Sequence, residues 1–151
     1  MVAQISCRTI ALRAIGKVMK LNFQYSHHSR TESEDRAVSS NEEVFAAFDD
    51  FDWVGESAKA TKIGKCSPTL SVISIPNEKM IWFSSYESGS NIHFISQCLF
   101  PGEVSAWFGL GKKMGTVSLH VDWFSQNQAR KALEFYLAEE FDELRAHYKG
   151  A

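Results

Sequence analysis

Leu70-Ser71-Val72-Ile73-Ser74-Ile75, then Pro76-Asn77-Glu78-Lys79, then Met80-Ile81-Trp82-Phe83 follow one another without a gap, and they decide the fold. The first segment alternates apolar with polar or β-branched residues behind Pro68, as a strand does. The second is turn chemistry, with proline, asparagine and charge in succession. The third is a compact apolar run. Strands joined by so short a connection pair antiparallel, because a parallel partner needs a crossover of a dozen or more residues.

Working outward, Glu87-Ser88-Gly89-Ser90-Asn91 is a second turn, leading into Ile92 through Leu99. Pro101-Gly102 is expected to break that strand, with Val104, Ala106 and Phe108 resuming the alternation. Gly109-Leu110-Gly111-Lys112-Lys113 reads as a flexible loop, and Val117, Leu119 and Val121 as the last strand. On the other side, Leu21, Phe23 and Tyr25 alternate with Lys20, Asn22 and Gln24, the period of a half-buried strand. His27 to Ser40 has Val38 as its one large apolar residue and is expected to be a loop.

Two helices frame these strands. Ser40 with Glu43 is a capping box, and Val44, Phe48 and Phe51 recur at helical spacing behind it, predicting a helix over Ser40–Trp53 that fades by Gly55. Ser125 with Gln128 is a second capping box, with Phe124 as its staple. Ala129, Leu133, Tyr136, Leu137, Phe141 and Leu144 continue its stripe and predict Gln126–His147. The expected fold is α+β: a mainly antiparallel twisted sheet of about five to six strands with two principal helices packed on it.

At 151 residues the chain suits one domain, and 44% hydrophobic residues supply its core. A net charge of -2 leaves no basic excess to neutralise phosphates, which argues against a nucleic-acid partner. Arg8 and Arg13 interrupt the apolar residues of the N-terminal segment, so no secretory core forms there. No run approaches the ~18 apolar residues of a membrane span. Residues 1–18 read as an extension ahead of a domain spanning 19–151. Cys7, Cys66 and Cys98 are odd in number and widely spaced, which points to unpaired thiols and a cytoplasmic location.

Tests for chemistry give little. His27-His28 is adjacent rather than spaced for chelation, and a solvated loop is the simpler account of it. His120 and Asp122 share one face of a strand without further ligands nearby in sequence, so no metal is expected. Cys98 and His120 could meet on neighbouring strands, but cysteine in an apolar strand is usually a small buried hydrophobe. The glycines of 109–115 lack a phosphate-binding pattern. No catalytic residue and no cofactor are therefore assigned.

The group Asp49, Asp50, Asp52, Trp53 and Glu56 is different, because tryptophan rimmed by carboxylates suits a protein interface. Trp107, out of phase with its apolar neighbours, is a second candidate anchor. Core burial is the competing reading for both tryptophans.

Met19-Lys20-Leu21-Asn22-Phe23-Gln24-Tyr25, the polar stretch after it, and Ser39-Ser40-Asn41-Glu42-Glu43-Val44-Phe45-Ala46-Ala47-Phe48 resemble the start of bacterial immunity proteins of the Imm1 type. Ser67 to Val72, Lys79 to Phe83, and the capped helix Gln128 to Tyr136 resemble the rest of that family, over roughly Met19 to Tyr148. The family often ends with proline and a final tryptophan, which Leu144-Arg145-Ala146-His147-Tyr148 lacks, and the first 18 residues have no counterpart. The resemblance implies a non-enzymatic immunity protein that occludes a cognate antibacterial toxin, encoded beside it; the tryptophan and carboxylate groups read above, Asp49, Asp50, Asp52, Trp53, Glu56 and Trp107, are then the candidate toxin-binding residues. The alternatives are a small enzyme or ligand-binding domain whose site assembles only in three dimensions, drawing on Cys98, His93, His120 or Asp122, and a homo-oligomeric module.

Overall fold

Strand β1 (Met19–Gln24) buries Met19, Leu21 and Phe23 and turns Lys20, Asn22 and Gln24 to the opposite face, as its alternation requires. A computed structural model describes residues 18–106 and 109–151; Cys7, Trp107 and nearly all of the N-terminal extension lie outside them. After β1 come β2 (Glu34–Val38), α1 (Asn41–Asp50), α2 (Trp53–Ile63), β3 (Thr69–Ser74), a 3-10 turn at Ile75–Asn77, β4 (Lys79–Ser88), β5 (Asn91–Ser105), β6 (Lys112–Phe124), α3 (Gln126–Leu137) and α4 (Phe141–Lys149). The six strands form one sheet in the order β2-β1-β3-β4-β5-β6, and every neighbouring pair is antiparallel. The fold is α+β, as the turn-separated strands require.

The four helices among the described residues cover one face. Phe48 of α1 meets Phe83, Trp53 of α2 meets Phe94, Tyr136 of α3 reaches Ser74 and Val72, and Tyr148 of α4 reaches Ser96. Under the helices, hydroxyls pair across the interface: Ser57 with Ser85 at 2.7 Å, Tyr136 with Ser74 at 3.2 Å, Tyr148 with Ser96 at 2.6 Å. Burial drives the Tyr136 and Tyr148 hydroxyls well above their usual range, keeping both neutral. Lys79, nearly buried among these groups, is matched by Glu139 in the bend between α3 and α4. The other face carries the half-buried Ile73, Met80, Trp82, Ile95 and Leu99 among polar residues.

Both capping boxes form as expected. Four details differ from expectation. The stretch His27–Ser40 contains a strand, β2, held to β1 by polar pairs: Asn22 Nδ2 donates to Asp35 at 2.7 Å and to Ser33 at 2.8 Å, and Lys20 pairs with Asp35 at 3.2 Å. It also buries His28, whose Nδ1 accepts the Tyr25 amide at 3.1 Å. The helix expected over Ser40–Trp53 ends at Asp50, and Asp52 starts a new one by accepting the Gly55 amide at 3.0 Å. The helix expected over Gln126–His147 breaks at Glu139, which sits in the left-handed region at φ 58. Finally, β5 runs through Pro101-Gly102 and β6 begins already at Lys112. There Gly102 is required by space, since a Cβ would lie 2.9 Å from Val117 Cγ2.

Cys66 and Cys98 are buried free thiols. Cys98 faces the helices and His120 the opposite face, because Cys98 is opposite Leu119 while His120 is opposite Gln97. The two cannot meet across these neighbouring strands. Burial pushes the Cys98 thiol up to about 12, with Lys79 pulling weakly the other way. No helix among the described residues is long and apolar enough to cross a membrane.

Candidate functional site

The restart of the chain at Asp52 bends α1 against α2 and opens a groove of about 400 Å3 between that corner and strands β1 and β2. Its floor is a row of near-parallel rings. Phe51 lies 5.5 Å from Tyr25 at 4° and 6.3 Å from Phe23 at 3°. The Arg36 guanidinium stands 4.7 Å above the Phe23 ring. Burial, with help from Glu34, raises the Tyr25 hydroxyl above its ordinary range, so it remains a neutral hydrogen-bonding group.

The carboxylates of the corner have separate occupations. Asp49 receives Arg130 Nε at 2.9 Å and Nη2 at 3.3 Å, a forked pair that ties α1 to α3. Asp52 is the cap of α2. Glu56 accepts the Ser26 hydroxyl at 2.7 Å, the Ser26 amide at 3.0 Å and Lys59 at 3.1 Å. Burial pushes the Glu56 carboxyl up, but these donors more than offset it and hold it below the usual carboxylate range. Asp50 alone of the five residues expected here is both exposed and has a side chain without a hydrogen bond or ion pair among the described residues.

Trp53 is not a surface anchor. It is 2% exposed, packs on Phe51 at 4.1 Å, and donates its indole N–H to the Phe48 carbonyl at 2.9 Å. Of the two readings weighed for Trp53, core burial is the one it adopts, because Asp52 restarts the helix and turns the next residue inward. Thus Asp50, Asp52 and Glu56 line the groove, Asp49 lies beside it on α1, Trp53 supports it from the core, and Trp107 lies outside the described residues.

Two groupings of side chains go beyond the sequence reading, the second gathering His93, His120 and Asp122, already considered singly, around Trp123. Tyr25, Arg36 and Phe51 form the groove's interior; Arg36 carries no sequence signal, sitting in a polar stretch. The second group centres on Trp123, which is 52% exposed and stacks 3.6 Å from His93, with Tyr86 edge-on at 6.1 Å. An irregularity opposite Ile95 places one extra residue in β6 there, and this bulge directs the indole outward. His120 and Asp122 pair beside it at 2.7 Å, on the exposed surface. Among the described residues no cluster of three or more His, Cys, Asp or Glu side chains is placed to hold a metal ion.

No protein-family model matches the chain, and neither the curated proteins nor the solved structures include a significant match.

Proposed function

We propose that this chain is an immunity protein, one that binds a cognate antibacterial toxin and neutralises it by stoichiometric occlusion. The observation that carries this reading is the corner groove, an aromatic floor rimmed by carboxylates with Asp50 left uncommitted. Aromatic shelves beside unpaired charge are what protein interfaces use for anchoring and for choosing partners. The resemblance of Met19–Phe48 to the start of immunity proteins points the same way, and an acidic rim is suited to a basic, nuclease-like toxin.

The test is to co-express the full chain with the product of the adjacent gene and to measure complex formation and survival. A one-to-one complex that protects the host is expected. Asp50→Lys should weaken binding at low salt by roughly tenfold or more while leaving thermal stability almost unchanged. Asp49 is unsuitable for the same substitution, because reversing it would also break the clamp to Arg130. Absence of any complex with neighbouring gene products would remove the proposal.

A second reading draws on the groove's volume, which lies within the range of small-molecule sites. A ligand-binding domain would show a rise in melting temperature with a small aromatic or cationic compound and no dependence on a protein partner.

A further inference from the structure

Among the described residues, the groove has an unpaired strand edge along one side. β2 is terminal in the sheet, and Glu34, Asp35, Arg36 and Ala37 are all exposed. It contains no proline, the device that most simply blocks pairing at an edge. The register fixes which way its side chains point: Arg36 is opposite Leu21 and Glu34 opposite Phe23, on the groove side, while Asp35 and Ala37 face away beside Asn22 and Lys20. A strand added outside β2 would therefore send alternate side chains over the groove, next to Arg36 and toward the corner carrying Asp50.

We propose that β2 receives an extended, basic segment of the partner as a seventh antiparallel or parallel strand, which lays a lysine or arginine side chain across the ring floor toward Asp50. This deepens the immunity reading and rests on it only for the identity of the partner.

Charge and shape favour this occupant. On the groove side, Glu34 of the strand and Asp50 across the groove outweigh Arg36, whereas Asp35 on the other face is already paired with Lys20. Arg36 itself shows that the floor accepts a guanidinium, at 4.7 Å over Phe23, and the adjoining Tyr25 and Phe51 rings offer the same contact to an incoming cation. Main-chain pairing supplies affinity in such additions, and alternate side-chain sites supply selectivity. The opposite edge has the other sign, since β6 opens with Lys112-Lys113, so a basic segment distinguishes the two edges.

The test uses a short N-acetylated peptide alternating lysine and valine, a glutamate–valine counterpart, and the lysine peptide N-methylated at alternate amides. Each is titrated into the full chain at low salt, with amide shifts and hydrogen exchange read along the backbone. The lysine peptide is expected to bind, to shift Glu34–Val38 and the surroundings of Asp50, and to slow exchange in β2. Asp50→Asn should weaken it by roughly threefold, the size of one exposed ion pair. N-methylation should abolish the protection, and the glutamate peptide should not bind at β2. No binding of the lysine peptide, equal binding after N-methylation, or shifts at β6 instead would each overturn the proposal. A toxin that binds while β2 stays unprotected would sink strand addition alone. Capture of the lysine peptide at β2 with no neighbouring gene product bound would sink the immunity reading alone.

Discussion

Phe51-Asp52-Trp53-Val54 and Val121-Asp122-Trp123-Phe124 are nearly the same tetrapeptide with its apolar ends exchanged, yet they come to opposite ends. In the first, Trp53 is 2% exposed and Val54 is 64% exposed; in the second, Trp123 is 52% exposed and Phe124 is fully buried. The aspartate decides. Asp52 caps a helix and turns the next residue inward, whereas Asp122 lies in a strand bulge and spends its carboxylate on His120 at the surface. Local composition therefore says that a tryptophan beside an acid is special without saying on which side of the protein it falls. Backbone state, set by one cap or one extra residue, assigns the side.

The largest effect should separate the two tryptophans. Trp53→Ala is expected to lower stability by about 3–5 kcal/mol, as removal of a fully enclosed ring does, while Trp123→Ala should cost under about 1 kcal/mol. Urea unfolding followed by far-UV circular dichroism measures both, and equal losses would break the comparison. Next comes the link that fixes the first corner to the loop after β1. Glu56→Gln should cost about 1–2 kcal/mol at neutral pH. Because Glu56 titrates below its unfolded value of 4.5, its contribution is present above that value and lost as pH falls through the folded one. The gap between wild type and Glu56→Gln should therefore close in acid, and a gap constant with pH would show that the carboxylate's charge is not involved. The smallest difference lies in the aspartates themselves. Asp52→Ala should cost about 1 kcal/mol as a lost cap, and Asp122→Ala less than about 0.5 kcal/mol as a lost surface pair.

Where apolar periodicity dominates, the fold was legible. The hairpin from Leu70 to Phe83 and the two capping boxes follow from alternation and from serine placed three residues before glutamate or glutamine. β2 was not legible because its pairing is made by Asn22, Lys20 and Asp35, polar contacts that leave no hydrophobic period. The helix breaks at Asp52 and Glu139 were hidden for the reverse reason: apolar residues continue past both, so the stripe reads as unbroken although the backbone changes direction. Of the groove, Asp50, Asp52 and Glu56 were visible as charge. Its ring floor was not, since Phe23 and Phe51 look like ordinary core residues until Tyr25 and Arg36 are brought beside them by the β1–β2 pairing.

The hydroxyl pairs beneath the helices bear on how the molecule comes apart. Ser57 with Ser85, Tyr136 with Ser74 and Tyr148 with Ser96 fasten three helices at single points on the sheet. A greasy interface alone would let a helix creep by a turn and still bury its stripe. Here any slippage strands a desolvated hydroxyl, at about 1–3 kcal/mol for each group left unmatched. Loosening therefore offers no gradual route, and melting should be abrupt: near-UV and far-UV signals lost together, with no expanded intermediate that keeps its helices while its side chains run free.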